Sequence, residues 1–471
     1  MTAQLPARPR WRRAGLQLCL MMLAAVSAGC SLMPQNGDNR CATAFEKSDR
    51  QIASAGARDS GPTPIPGFRY LRTDRFLASF RDEVDQAAKA EAWIRRLADL
   101  DRRTRRLELR NAGLQSQQYN LDACREQLVD ELLRSEAQLA QLSHRVRVPD
   151  DYVTAWQILG LAPLTALPVS ARIALWHRET RTAFATASAA MPSRKPLLRW
   201  YSGKEPGPNR SALPRDALGI PFIDGAALDA LFERHAPVWE VEQNDDNDRI
   251  GTAVWHGRAQ VDPATATEYR RLSFTRYGGQ TLLQLNYIVW FRSRPGNDIY
   301  AGNIDGLTWR VTLGPEGAPL LYDSIHNCGC YHLFFPTPRI RRRPSLAPGE
   351  PPLVLPSVPG NGTLVVRLDS GRHFIRGLYR TGGTVPHLPL ATASYDRLRS
   401  LPADPSGPRS FFGVHGIVAG SERPERFLLW PMGVRSPGAM RQWGHHATAF
   451  VGRRHFDDPF LIERLFEEVK R

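Results

Sequence analysis

Leu307-Thr-Trp-Arg-Val-Thr-Leu313, Gly314-Pro-Glu-Gly317 and Pro319-Leu-Leu-Tyr-Asp-Ser324 form the stretch that decides the fold. Leucine, tryptophan and valine alternate with polar residues, the period of a strand that buries one face. Gly314 to Gly317 reads as a turn, so Pro319 to Ser324 returns as the hairpin partner. Outward from this hairpin lie further strand-like runs: Val238-Trp-Glu-Val-Glu242, Leu272-Ser-Phe-Thr-Arg276 and the long apolar run from Thr281 to Phe291. Thr363 to Leu368 and His373 to Tyr379 flank Asp369-Ser-Gly371 as a second hairpin. One helical insert spans 226–234. Pro336 to Gly362 is a Pro-rich insertion holding Arg339, Arg341, Arg342 and Arg343. At the end, Asp458 and Pro459 suit a helix start, and Leu461, Ile462, Leu465, Phe466 and Val469 form its apolar stripe.

Before residue 213 the period changes. Trp93, Leu97, Leu100 and Leu107 recur at helical spacing, Gly113 breaks the pattern, and Leu121, Cys124, Leu128, Leu132 and Leu139 resume it. Arg and Glu crowd the opposite faces, which predicts an antiparallel helical pair. Asp150 and Asp151 precede a shorter helix through Trp156. Gly160 to Trp176 is nearly free of charge and contains Pro163 and Pro168. Two placements are open for it: the interfacial layer of a membrane, or a packed connection leading into a buried helix. The prolines favour the second. The fold class expected is α+β: a helical N-terminal region, 68–212, then a mainly antiparallel β domain, 213–471, with the insertion at 336–362 and a C-terminal helix.

Ahead of these, Arg8, Arg10, Arg12 and Arg13 precede the apolar run from Leu16 to Val26, followed by Ser27-Ala28-Gly29-Cys30. This resembles the lipobox-type signal of bacterial lipoproteins, with Ser27 where Leu is usual. The resemblance implies a signal peptide over 1–29, lipidation at Cys30 and, with Ser31 rather than Asp next, an outer-membrane protein facing the periplasm. Polar residues with Gly and Pro over 30–67 read as a tether. The run from Tyr287 to Pro336, with Asp305-Gly-Leu-Thr-Trp-Arg310 and Tyr322 to His332, is similar to that of an uncharacterised group of proteobacterial envelope lipoproteins. That similarity implies no activity.

The chain has 471 residues and a formal net charge of +15. The four arginines before Cys30 account for four of these charges, leaving +11. For an exported protein the expected partners are the membrane, through the lipid anchor, and an anionic envelope polymer or lipid, rather than nucleic acid. With Cys30 lipidated and Cys19 removed, Cys41, Cys124, Cys328 and Cys330 remain. In an oxidising compartment Cys41 and Cys124 are the natural disulfide, with two free thiols as the alternative.

Candidate chemistry gathers in Ser324-Ile-His-Asn-Cys-Gly-Cys-Tyr-His332. Were this one strand, His326, Cys328, Cys330 and His332 would share a face. His326 and His332 would then stand about 20 Å apart, too far for one ion, so other ligands are needed. His415, His445 and His446 are the candidates, eight of the twelve histidines falling at or after position 326. Such a set would take a transition metal such as zinc or copper. Cys328-Gly-Cys330 is also readable as a disulfide across one residue or as two buried thiols. The function expected is an envelope lipoprotein of binding or scaffold type, holding a metal at this His/Cys cluster; the alternative is a metal- or thiol-dependent periplasmic hydrolase. Asn244 to Asp248 lacks the turn glycine of a calcium loop and reads as a solvated acidic turn. Trp239, Trp290 and Trp309 read as core, while Trp430 and Trp443 sit in loop-like sequence.

Overall fold

The structure, a computed structural model, describes residues 39–186, 193, 195–203, 213–223, 225–357, 361–382, 386–405 and 407–469. Residues 1–29, expected to be a signal peptide, and Cys30 lie outside the described residues. Besides a single helical turn at Arg75–Ala78, the helices that open the described chain are α1 Asn39–Ser54, α2 Ala87–Asn111, α3 Gln118–Leu133, α4 Glu136–Arg145, α5 Thr154–Leu159 and α6 Ala162–Thr186. Between α1 and α2 lies a small hairpin, β1 Thr63–Ile65 with β2 Phe68–Thr73.

The expected tether is therefore folded from Asn39 onward. Polar composition concealed two things: Phe45 and Ile52 occupy one buried stripe of α1, and Cys41 is bonded to Cys124 of α3 with Cα atoms 5.2 Å apart. The antiparallel pair is present as α2 and α3, with one difference. The second helix stops at Leu133, and Ser135 starts α4 by accepting a hydrogen bond from Gln138 N at 3.4 Å. Asp101 of α2 is buried beneath Arg72, Arg105 and Arg125, which reach it at 3.1, 3.0 and 2.7 Å. A carboxylate buried there would be costly without those three partners.

The β domain adds β3 Leu197–Tyr201, α7 Gly225–His235, β4 Val238–Glu242, β5 Thr267–Tyr277, β6 Gln280–Arg294, β7 Gly302–Leu313, β8 Pro319–His326 and β9 Leu333–Pro336. It continues with β10 Leu353–Val354, β11 Thr363–Leu368, β12 Ile375–Thr381, β13 Leu388–Pro389 and β14 Ala391–Ser394. A seven-stranded sheet runs β10-β9-β8-β7-β6-β5-β14, and a five-stranded sheet runs β12-β11-β4-β3-β13. From β5 to β9 the pairing is an antiparallel meander; both edge strands of the larger sheet join in parallel. The 307–313 strand pairs with its predicted return, Ser324 opposite Trp309. β11 and β12 form the second predicted hairpin.

The long apolar run of β6 is explained by two covered faces. Leu285, Tyr287, Val289 and Phe291 pack with Trp309 against Trp239, Val241 and Val366 of the smaller sheet. Ile288 and Trp290 point the other way, into loops carrying Tyr395, Phe411 and Trp443. Ile340–Arg342 of the Pro-rich insertion pairs with Phe466–Glu468, and Arg341 meets Glu467 at 2.9 Å. That pairing shortens the C-terminal helix: it covers Leu461–Leu465 only, and Phe466 continues as strand. The α5 helix begins at Thr154, with Asp150 serving the preceding turn by accepting from Tyr152 N at 3.1 Å.

Between Gly160 and Leu175 the expected burial is not found. Leu161, Leu164, Leu167 and Leu175 are exposed, although Trp176 and Phe184 farther along α6 pack on Tyr331 and Phe335. Among the described residues, no helix is long and apolar enough to cross a membrane.

Candidate functional site

Asn327 to Tyr331 is a hairpin turn between β8 and β9. His326 N donates to Cys330 O at 3.0 Å and Gly329 N to His326 O at 2.7 Å. Gly329 has φ +94°, and a Cβ there would lie 2.5 Å from Ala447 O, so only glycine fits. The turn destroys the parity that would have put His326, Cys328, Cys330 and His332 on one face.

The seven proposed ligands consequently scatter. His332 is bonded to Asp323 at 2.8 Å, and Asp323 also accepts from Arg310 at 2.9 and 2.5 Å. Burial pushes His332 down to about 4, Asp323 only partly offsetting it. Cys328 is buried and Cys330 half-buried, both as free thiols, with Cys330 N 3.4 Å from Cys328 Sγ. Contact with Cys328, and then burial, push the Cys330 thiol well up, away from the thiolate that a nucleophile requires. His415 is exposed on a loop at φ +60°. His445 lies between Asp151 and Ser60 O, each at 2.7 Å. His446 is buried with Nε2 unbonded. Among the described residues, no group of three or more His, Cys, Asp or Glu is arranged to hold a metal ion.

His326 belongs instead to a buried charge chain that sequence reading did not anticipate. Its Nδ1 is 3.7 Å from Asp305 Oδ1; His373 Nδ1 is 2.8 Å from Asp305 Oδ2; His373 Nε2 is 3.5 Å from Asp248. Burial opposes the charged form of His373, but Asp248 and Asp305 outweigh it and raise the group to about 9. Burial would raise Asp305, but His326 and His373 hold it well below the carboxylate range. Burial holds His326 below the usual imidazole value, so the charged imidazole of this chain is His373, paired with Asp305 and Asp248. Ile304, Tyr331 and His373, residues of or beside this chain, adopt φ of +55°, +60° and +55°. Three non-glycine residues in that region mark stored strain. The acidic turn at 244–248 is thus not merely solvated, since Asp248 is buried and accepts from Asn244 N at 2.7 Å.

A second feature is open to ligands. A cleft of about 640 Å³ lies between α2, the start of the chain's helical region, β5 and the loop bearing Tyr395. Arg271 of β5 lines it, with its guanidinium 5.4 Å from the Tyr395 ring centre and 5.1 Å from that of Trp443. Its Nε is buried with no hydrogen-bond partner, and burial pushes its pKa below the usual arginine value. Three neighbours in the cleft meet carboxylates, Arg270 with Glu268 at 3.1 Å, Arg96 with Asp216 at 2.5 Å and Arg399 with Asp59 and Asp396, each at 2.8 Å, while Arg103 donates to Asp99 O at 3.4 Å. Arg271 gave no sequence signal, because a strand arginine reads the same whether it meets solvent or a cavity.

Compared with family models, with curated proteins and with solved structures, the chain matches none.

Proposed function

We propose that this chain is an outer-membrane lipoprotein of binding type, facing the periplasm, whose cleft receives an oxyanion-bearing fragment of the envelope. The observation carrying this reading is Arg271: a guanidinium held between two rings at a cavity wall, its Nε buried and unbonded. A buried guanidinium nitrogen without a partner is costly, and a carboxylate or phosphate entering the cleft relieves that cost with a charge-assisted bond. Tyr395 and Trp443 add a flat apolar surface beside the charge. The Cys41–Cys124 bond suits an oxidising compartment, and the lipobox-type signal supplies the address. The hydrolase alternative finds no support among the described residues, where no ligand set forms and Cys330 is kept as thiol.

Titration of the full-length protein with anionic muropeptides and with a phosphorylated glucosamine disaccharide tests the reading. One class binds, and Arg271→Gln weakens it at least about tenfold, the loss expected for one charge-assisted bond. Absence of binding by both, or equal binding by Arg271→Gln, overturns it. Among the described residues Arg271 closes no ion pair that the substitution would break, so the variant is expected to fold.

A further inference from the structure

We propose that the face built by α5, the first half of α6 and the helix α8 Arg426–Leu429 rests in the interfacial layer of an anionic lipid leaflet. Ile158, Leu159, Leu161, Leu164, Leu167, Phe427 and Leu428 are each 60–75% exposed. Soluble surfaces carry such residues singly; seven together are a patch that something covers. The segments that carry them are adjacent in space. Gln157 Nε2 donates to Met432 O at 3.1 Å, Val153 N donates to Gly433 O at 2.8 Å, and a Cβ on Gly160 would stand 2.4 Å from Pro431. Trp430, 39% exposed, joins α8 to this contact, an amphipathic ring where the apolar face meets its polar border.

Charge identifies the occupant. From Tyr152 to Ala171 there is no charged residue. In sequence the patch segments are flanked by Arg172, Arg178, Arg181, Arg426 and Arg435. Arg172 meets Glu179 at 3.7 Å, and among the described residues no ion pair to a carboxylate joins the other four. Arg426 lies over Phe427 at 4.8 Å and Arg435 over Trp156 at 5.5 Å, so their apolar stems cover rings while the charges remain outward. An apolar face rimmed by arginine matches acyl chains beneath anionic head groups. A second copy fits poorly, because a two-fold interface sets each basic rim against its own kind. Among the described residues no helix is long and apolar enough to cross a membrane, and the proposal is of seating on the leaflet, not of crossing it. The proposal depends neither on lipidation at Cys30 nor on the cleft.

The test uses the full-length protein with vesicles of phosphatidylethanolamine and phosphatidylglycerol whose acyl chains are brominated near the interface. Bromine quenches tryptophan only on contact, so an acyl anchor at Cys30 alone would leave Trp430 bright. Quenching is expected in the native chain and at least halved in Trp430→Phe. Leu164→Glu with Leu428→Glu, at exposed positions that do not support the core, abolishes the remaining quenching and weakens vesicle affinity at least tenfold. Phosphatidylcholine vesicles bind at least tenfold more weakly. Equal quenching in native and Trp430→Phe protein overturns the proposal. So does unchanged affinity when the double variant is compared in unacylated Cys30→Ser protein, or a native dimer that the double variant dissociates without any binding to vesicles.

Discussion

His373 Nδ1 lies 2.8 Å from Asp305 Oδ2, and both side chains are buried. Phe291 stacks flat on the imidazole at 3.9 Å, and a carboxylate stands near each of its two nitrogens, so ring face and carboxylates both favour its charged form. This pins β7, the turn before β12 and the acidic turn at Asp248 to one another. Its effect on stability follows from the raised pKa of about 9. A group raised in the folded state stabilises fully below its unfolded value near 6.5, and that contribution disappears as pH rises through 9. The contribution is on the order of 3 kcal/mol. The difference in denaturation midpoint between native protein and His373→Gln should therefore be largest below pH 6.5 and shrink steadily toward pH 9 and above. A difference that stays constant over that range would show that His373 is not held as an imidazolium.

The acid side has the opposite cause. Burial pushes His332 to about 4 and His446 to about 3, so both are neutral in the fold. The unfolded chain binds protons at these positions from about pH 6.5 downward, while the folded chain does not. Stability contributed above 6.5 is thus lost as pH falls toward 4. His446 Nε2 has no hydrogen-bond partner, and its ring sits between Trp443 and Phe456. Replacement by Phe should cost little at pH 7 and flatten the decline between pH 6.5 and 4. Chemical denaturation followed across that window checks this; an acid limb as steep in His446→Phe as in native protein would remove His446 as a cause.

The meander was legible because Leu307 to Leu313 and Pro319 to Ser324 each keep the two-residue period, and Gly314 to Gly317 supplies the only conformation that joins them. The same period misled just beyond. Parity holds only while the chain stays extended, and Gly329 at φ +94° with Tyr331 at φ +60° turns it within five residues of His326. Asn39 to Ser54 looked like a tether because its stripe is sparse, and its burial is completed by residues far away, Leu121 and Val129 among them. The partners of Asp305 come from positions 326, 373, 423 and, through His373, 248. No spacing in the sequence announces a convergence made by three separate turns. Charge-free composition at 160–171 was visible, but whether such a segment faces a core or the outside depends on what packs on it, and α6 meets the sheet only from Trp176 onward.

The last consequence concerns Arg310, Asp323 and His332, the polar residues beneath the β8–β9 hairpin. Arg310 donates twice to Asp323, donates to Phe456 O at 2.6 Å, and lies 3.6 Å from the centre of the Phe456 ring. All three side chains are buried. Removing one partner of such a pair leaves the other charge uncompensated, a loss of roughly 3–5 kcal/mol, whereas removing both leaves a void but no orphan charge. Asp323→Ala should therefore destabilise the protein by several kcal/mol in urea unfolding. The double variant Arg310→Met with Asp323→Leu should recover at least about 2 kcal/mol of that loss, since apolar side chains of similar volume refill the space. His332 would then lose its bond to Asp323, but already neutral, it forfeits only an ordinary hydrogen bond of about 1 kcal/mol. If the double variant is no more stable than Asp323→Ala, the cost lies in packing around Phe456 rather than in the orphaned guanidinium, and the charge argument for this hairpin fails.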